Sequence, residues 1–398
     1  MSPDRLICQV LPQAFLMALT AGGRLVELQI FRRDRPSIEG SVFLGRLERV
    51  MTDLDAAFVD IGTGRSGFLR AEDRAGIDGW PQAGAPVLVQ ARGEGEGGLK
   101  GEGKGPRLSM NIAVSGRYLV YHPLGSGVSF SRRIEGESER ERLAGHVAEL
   151  LEGGVVLRTA AAGASVDLLR TDAARVLERW DRIRRRALDA LPPADLSARI
   201  PGERDPMERM LRDHGAGLEE VIIDDRGMAR SLQDEMDRRQ ERIRVRWHNG
   251  PMPVFDVDDV AGQIDTALAP RIALPSGVEV LFEPGETLCA VDVDSARAGG
   301  RQGRAPRRPV EVNLEAAPAI AQQLRLRNLA GAVVVDFVTM RSAYDRDKVQ
   351  AALVDALRED PVPCQVYGFT RLGHFELTRA RRGATLAGQL QALEREET

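Results

Sequence analysis

The chain has 398 residues, 43% of them apolar, more than one hydrophobic core usually organises and enough for several. A formal net charge of −4 and a pI near 5.9 exclude nucleic-acid binding by overall charge, so any such binding must rest on local basic patches. No apolar run approaches membrane-spanning length, and Met1–Cys8 lacks the basic-then-apolar pattern of a secretory signal, so a cytoplasmic protein with no membrane segment is expected.

In chain order, a strand hairpin is predicted over residues 4–33, turning at Ala21-Gly22-Gly23. Gly40-Ser-Val-Phe-Leu-Gly45, Ala56-Ala-Phe-Val-Asp-Ile-Gly62 and Ser66-Gly-Phe-Leu69 alternate as short strands of a β-barrel that runs to about residue 117. Within it, the Gly/Glu-rich stretch 93–105 reads as an extended barrel loop. It is not a phosphate loop, because no Gly-Lys-Ser/Thr ending or helix start follows. Helices are predicted at 137–151, 172–190 and 205–214, a strand at Val221-Ile-Ile223 and a helix at 256–268. Arg182, Arg184, Arg185 and Arg186 form one basic run, and Arg301, Arg304, Arg307 and Arg308 another, between the Asp294 strand and the Asn313 helix, whose plain reading is a solvated loop because the segment is rich in breakers.

Two short β-branched runs near the C-terminal end carry the chemistry. Cys289-Ala290-Val291 leads into Asp292 and Asp294, and Ala332–Val335 leads into Asp336. Both read as buried strands that set carboxylates on the rim of a sheet. Ionised carboxylates gathered in a partly buried place repel one another, so a cation is expected between them. Oxygen-only ligands favour Mg²⁺ or Mn²⁺, which keep several waters and commonly meet substrate through a phosphate. Between the runs, Asn313–Asn328 places Ala316, Ile320 and Leu324 on one face of an amphipathic helix. Strand, helix, strand with a right-handed crossover brings both carboxyl ends to one sheet edge, where Asp292 and Asp336 can share an ion. A single acid at a strand end is otherwise a turn cap; two at matching ends weaken that reading. The spacing fails as a calcium loop, since Arg297 and Gly303 stand where Gly and Glu are needed. Cys8, Cys289 and Cys364 form no CxxC pair and predict neither a disulfide framework nor a zinc site.

Val291-Asp-Val-Asp-Ser-Ala-Arg297, Asn313-Leu-Glu-Ala-Ala317, Gln323-Leu-Arg-Leu-Arg-Asn-Leu329, Gly331 and Val335-Asp-Phe337 together resemble the catalytic core of the ribonuclease E/G family. The resemblance covers nearly the whole chain. It implies that Asp292 and Asp336 bind Mg²⁺ as catalytic residues, and that Asp294 stands at a third site position where the family usually has Asn. An extra anion there either binds the metal more tightly or disturbs its geometry. Upstream, the barrel is similar to the family's S1-type OB barrel, with Phe58 and Phe68 at base-stacking positions and Arg132, Arg133 and Arg297 as further RNA contacts. Ile61 stands where an aromatic is common, which implies a weaker RNA surface. Ser131-Arg-Arg-Ile-Glu-Gly136 and Leu157-Arg158-Thr159-Ala160 match the region that senses a 5′-monophosphate, held by Arg158 and Thr159. A third contributor, an Arg in the family, is replaced around Pro363, which implies weaker sensing.

The implied fold is a multidomain α+β and α/β chain. Residues 1–36 and 204–267 would form a discontinuous RNase H-like subdomain, 37–117 the S1 barrel, 118–203 the 5′-sensor-like region, 268–390 a DNase I-like catalytic subdomain and 391–398 a tail. The implied function is Mg²⁺-dependent, single-strand-specific endoribonuclease activity in RNA processing and decay, leaving 5′-phosphate and 3′-hydroxyl ends. The family's zinc link has no counterpart before the chain stops, so zinc and a zinc-linked tetramer are not expected, while a homodimer remains open. The alternative is an S1-containing RNA-binding relative with reduced catalysis. A haloacid dehalogenase-type phosphatase reading of Asp292-Val-Asp294-Ser fails because Lys348 is the only lysine beyond residue 104. No His is needed as a base, and His374 alone reads as structural.

Overall fold

Near-continuous apolar runs, buried on both faces in β1 (Arg5–Val10) and β2 (Ala14–Ala21), build the N-terminal strands with β3 (Arg24–Arg32), and the predicted hairpin is the second half of a three-stranded meander. The computed structural model describes residues 3–76, 78–93, 105–131, 133–197, 205–239, 241–295, 307–381 and 383–395. Its contacts divide the chain into two compact units, 1–33 with 218–398, and 34–217. The Gly/Glu-rich loop, for residues 94–104, lies outside the described residues, as do Arg132, Arg297, Arg301 and Arg304.

The second unit begins with a five-stranded barrel. Its strands are β4 (Val42–Met51), β5 (Ala56–Asp60), β6 (Gly67–Arg70), β7 (Pro86–Ala91) and β8 (Arg107–Ser109), closed by pairing of β4 with β7. Phe43, Leu47, Val59, Leu69, Val89 and Leu108 fill it. Gly67 is required there, since a Cβ would meet Leu108 Cδ1 at 2.4 Å. A four-stranded sheet follows, formed by β9 (Val114–Ser115), β10 (Leu119–His122), β11 (Gly127–Phe130) and, after helix α1 (Glu137–Ala148), β12 (Gly154–Leu157). Helix α2 (Val166–Asp189) starts six residues earlier than the predicted 172, because the Ser165 hydroxyl caps it by accepting from Leu168 N–H. Asp172 on α2 is buried and accepts from the N–H groups of Arg117 and Tyr118 at 3.0 and 2.8 Å, fixing the entry to β10. A two-residue β13 (Ala194–Asp195) pairs with β4, and α3 (Pro206–His214) closes the unit on an Asp205 cap.

In the first unit, β14 (Glu220–Ile223) pairs in parallel with β1 and, beyond helix α4 (Arg226–Arg239), with β15 (Arg244–Trp247), giving the order β15-β14-β1-β2-β3. The predicted helix 256–268 is a corrected case. Asp258 and Asp259 adopt left-handed backbone, so a 3₁₀ turn precedes α5 (Val260–Leu268). The Asp258 carboxylate is instead used to accept from Arg5 Nη1 at 2.7 Å and Thr20 Oγ1 at 2.9 Å.

A second six-stranded sheet contains β16 (Arg271–Ala273), β17 (Glu279–Pro284), β18 (Leu288–Asp294), β19 (Gly331–Asp336), β20 (Cys364–Phe369) and β21 (Phe375–Arg379), in the order β16-β17-β18-β19-β21-β20. Helices α6 (Pro309–Leu326) and α7 (Ala343–Leu357) pack on the face carrying Val291, Val333, Val335 and Phe375. Helix α6 starts before the predicted Asn313 because Pro309 opens it and Glu311 accepts from Arg308 N–H at 3.3 Å. Helix α8 (Leu386–Glu394) follows. Among the described residues no helix is long and apolar enough to cross a membrane.

Candidate functional site

The alternation that buries Val291, Val293 and Val335 on the helix side sends Asp292, Asp294 and Asp336 to the other, uncovered face of the sheet. They project from that face near the strand ends rather than along the rim. β18 and β19 are parallel, and their register sets Asp292 beside Asp336, with Asp294 two residues on and opposite Glu279 of β17. Partial burial, then the charges of Asp336 and Asp294, push the Asp292 carboxyl above its usual range. Arg271 opposes that push but is itself engaged with Glu279 at 3.1 Å. The Asp336 side chain keeps 60% of its surface exposed.

Asn313 supports this pair from behind. It is fully buried on α6, donates to Val338 O at 2.8 Å and accepts from Val338 N–H at 3.1 Å, so it pins the segment that leaves Asp336. His374 also stands at this edge: its Nδ1 is 3.4 Å from Asp336 Oδ1. Sequence reasoning passed it over because nothing near residue 336 in the chain points to residue 374. Among the described residues no group of three or more His, Cys, Asp or Glu side chains is arranged to hold a metal by itself. Two carboxylates on adjoining strands suit a hard ion that keeps most of its waters and completes its shell with substrate.

On the barrel, Phe58 of β5 and Phe68 of β6 are register partners, half-buried, with ring centroids 5.6 Å apart at 60°. The Arg49 guanidinium lies 5.2 Å over Phe58. Two partly exposed rings and a cation form a surface on which bases can stack. Ile61 does not belong to that surface: it is 2% exposed in the barrel core, so the expectation that it weakens an RNA face is corrected.

Arg158 follows β12 and spends its Nη1 on Gly116 O at 2.8 Å and on the Asp213 carboxylate at 3.0 Å. Thr159 Oγ1 lies 2.8 Å from Ser131 Oγ. Parallel pairing of Phe130 with Leu157 brings Ser131 alongside this turn, with Arg133 two residues on. Burial pushes the Asp213 carboxyl up, but Arg212, Arg158, His214 and Arg209 together outweigh it and hold the group below the usual carboxylate range. Asp213 and the Gly116 carbonyl therefore already engage Arg158 Nη1. Pro363, just before β20, contributes no donor, and its carbonyl accepts from Ala380 N–H. The described members of the basic runs are locally paired, most of them exposed: Arg182 pairs with Glu178, Arg184 and Arg185 with Asp181, Arg307 with Glu315 and Arg308 with Glu311.

The sequence pattern of the Ribonuclease E/G family matches residues 113–382. Ribonuclease G of Haemophilus influenzae is 33% identical over 410 residues, covering 97% of this chain and 81% of its own. Ribonuclease G of Escherichia coli K12 is 34% identical over 398 residues, covering 94% and 79%. Ribonuclease E of Nostoc is 36% identical over 366 residues, covering 87% and 52%.

Proposed function

This chain belongs to the ribonuclease E/G family, and we propose from that premise that it cuts single-stranded RNA in the cytoplasm at the face bearing Asp292 and Asp336. These two carboxylates would hold Mg²⁺ or Mn²⁺, and Asp294 would lie next to that ion. When bound, such an ion polarises a phosphate oxygen and lowers the pKa of a coordinated water. The observation that carries the reading is the register of Asp292 against Asp336 on one exposed face, where burial and mutual repulsion push the Asp292 carboxyl up.

The remaining roles follow from the chain's own groups. Asn313 keeps the segment after Asp336 in place, so that the backbone carrying the carboxylate is fixed. Phe58 and Phe68, with Arg49, hold bases by stacking. Arg158 and Thr159 receive a 5′-terminal phosphate once Asp213 yields its place. Cleavage of a short single-stranded RNA carrying either a 5′-phosphate or a 5′-hydroxyl, with Mg²⁺ or with EDTA, tests the reading. Metal-dependent cutting that is lost in Asp292→Asn and Asp336→Asn supports it. Tight RNA binding with no cutting under any condition would leave an RNA-binding relative instead.

A further inference from the structure

The antiparallel register of β19 with β21 pairs Val335 with Phe375, and one step further along it sets His374 beside Asp336. With Asp292 next to Asp336 on the other side, the three side chains form one row across β18, β19 and β21 on the uncovered face. Two observations show that His374 is not used up by the fold. Its Nδ1 is buried without a hydrogen-bond partner among the described residues, although the side chain as a whole keeps 40% of its surface exposed. That same atom lies 3.4 Å from Asp336 Oδ1, near enough that a small rotation of either side chain aligns a hydrogen bond. The main chain holds the imidazole near this place, because His374 O accepts from Thr370 N–H at 2.8 Å across a tight turn and Phe375 is fully buried beneath the sheet.

From this row we propose that His374 is a positioning residue for the metal-binding carboxylate. Its Nδ1–H donates to Asp336 Oδ1, fixes the carboxylate's rotation, and leaves the other oxygen turned toward the ion shared with Asp292. A mobile, exposed carboxylate loses side-chain entropy when it binds an ion; a neighbour that holds it beforehand removes part of that loss. Groups in this outer shell of a metal site commonly contribute 10–100-fold in affinity. The role needs only the neutral imidazole with its proton on Nδ1, so it involves no change of protonation. It rests on the reading of Asp292 and Asp336 as metal ligands.

The test is direct binding of Mn²⁺, followed by calorimetry or by loss of the free-ion electron paramagnetic resonance signal, on wild type, His374→Ala, His374→Asn and Asp336→Asn. Asn is chosen because its amide nitrogen can stand where Nδ1 stands. The expected result is a Kd raised roughly 10-fold in His374→Ala and restored to within about 3-fold in His374→Asn. In cleavage assays the Mg²⁺ concentration for half-maximal rate rises in the Ala variant, while KM for RNA and the rate at saturating Mg²⁺ stay near wild type. Unchanged Mn²⁺ affinity in His374→Ala, or an Asn variant no better than Ala at equal thermal stability, overturns the proposal. If Asp336→Asn also leaves Mn²⁺ binding intact, the metal site itself is misassigned; if only the His374 variants are silent, the carboxylates stand and His374 is not their support.

Discussion

The Asp292–Asp336 face and the Arg158–Asp213 pocket are opposite solutions to gathering like charge. At the first, among the described residues, carboxylates meet opposite an arginine already engaged by Glu279, and the carboxyl of Asp292 is pushed up. At the second, Arg158, Arg212 and Arg209 surround a carboxylate of the protein itself, and that carboxyl is held down. On the proposed reading, binding of a cation at the carboxylates would be an addition, and binding of a phosphate at the arginine would be an exchange that begins with the cost of breaking the Arg158–Asp213 ion pair.

The largest effect should come from breaking the unbalanced side. Asp292→Asn or Asp336→Asn should lower the cleavage rate by about 10²–10³-fold in Mg²⁺, the equivalent of several kcal/mol of transition-state stabilisation, with RNA affinity little changed in a filter-binding assay. Next, Arg158→Gln should remove any preference for 5′-phosphate over 5′-hydroxyl RNA, a loss of roughly 10-fold if the phosphate gains one charge-assisted bond, while 5′-hydroxyl cleavage is unaffected. The comparison is sharpest at Asp213→Asn. Freeing the guanidinium should raise the ratio of 5′-phosphate to 5′-hydroxyl cleavage by about 3–10-fold, in keeping with the worth of a partly exposed ion pair; a fall in that ratio would mean that Asp213 orients Arg158 rather than competing for it.

The smallest effect is on stability. Because the folded Asp292 carboxyl is pushed above its usual range, its ionised form is a local destabilisation, fully present above the folded pKa and relieved as pH falls through it toward the unfolded value. Asp292→Asn should therefore raise Tm slightly at neutral pH and not at acid pH. Added Mg²⁺ should raise Tm in wild type but not in the variant, as differential scanning fluorimetry can follow.

The parts that were legible from sequence share a local signal. β18, β19 and the helix between them stand out as β-branched runs separated by one amphipathic segment, so the meeting of Asp292 and Asp336 could be anticipated from the handedness of the crossover. Phe58 and Phe68 alternate visibly with core residues. What escaped depends on distant register or on weak local signals. His374 reaches Asp336 only because β21 inserts between β19 and β20. Asp213 meets Arg158 from a helix on the far side of α2 in the sequence. Helix α4 buries only Ala229, Leu232 and Met236 among charged neighbours, too thin a stripe to announce itself. Ile61 misled because it looked like a surface aromatic's replacement when its side chain points into the barrel.

The chain order of these parts has a consequence for how the protein is made. Phe58 and Phe68 belong to strands that pair with near neighbours in sequence, so the barrel can close while most of the chain is still being synthesised. The carboxylate row draws on β18, β19 and β21 and cannot exist until the last of them has left the ribosome. A nascent chain thus completes the barrel strands that carry Phe58 and Phe68 well before the strands that bring the carboxylates together.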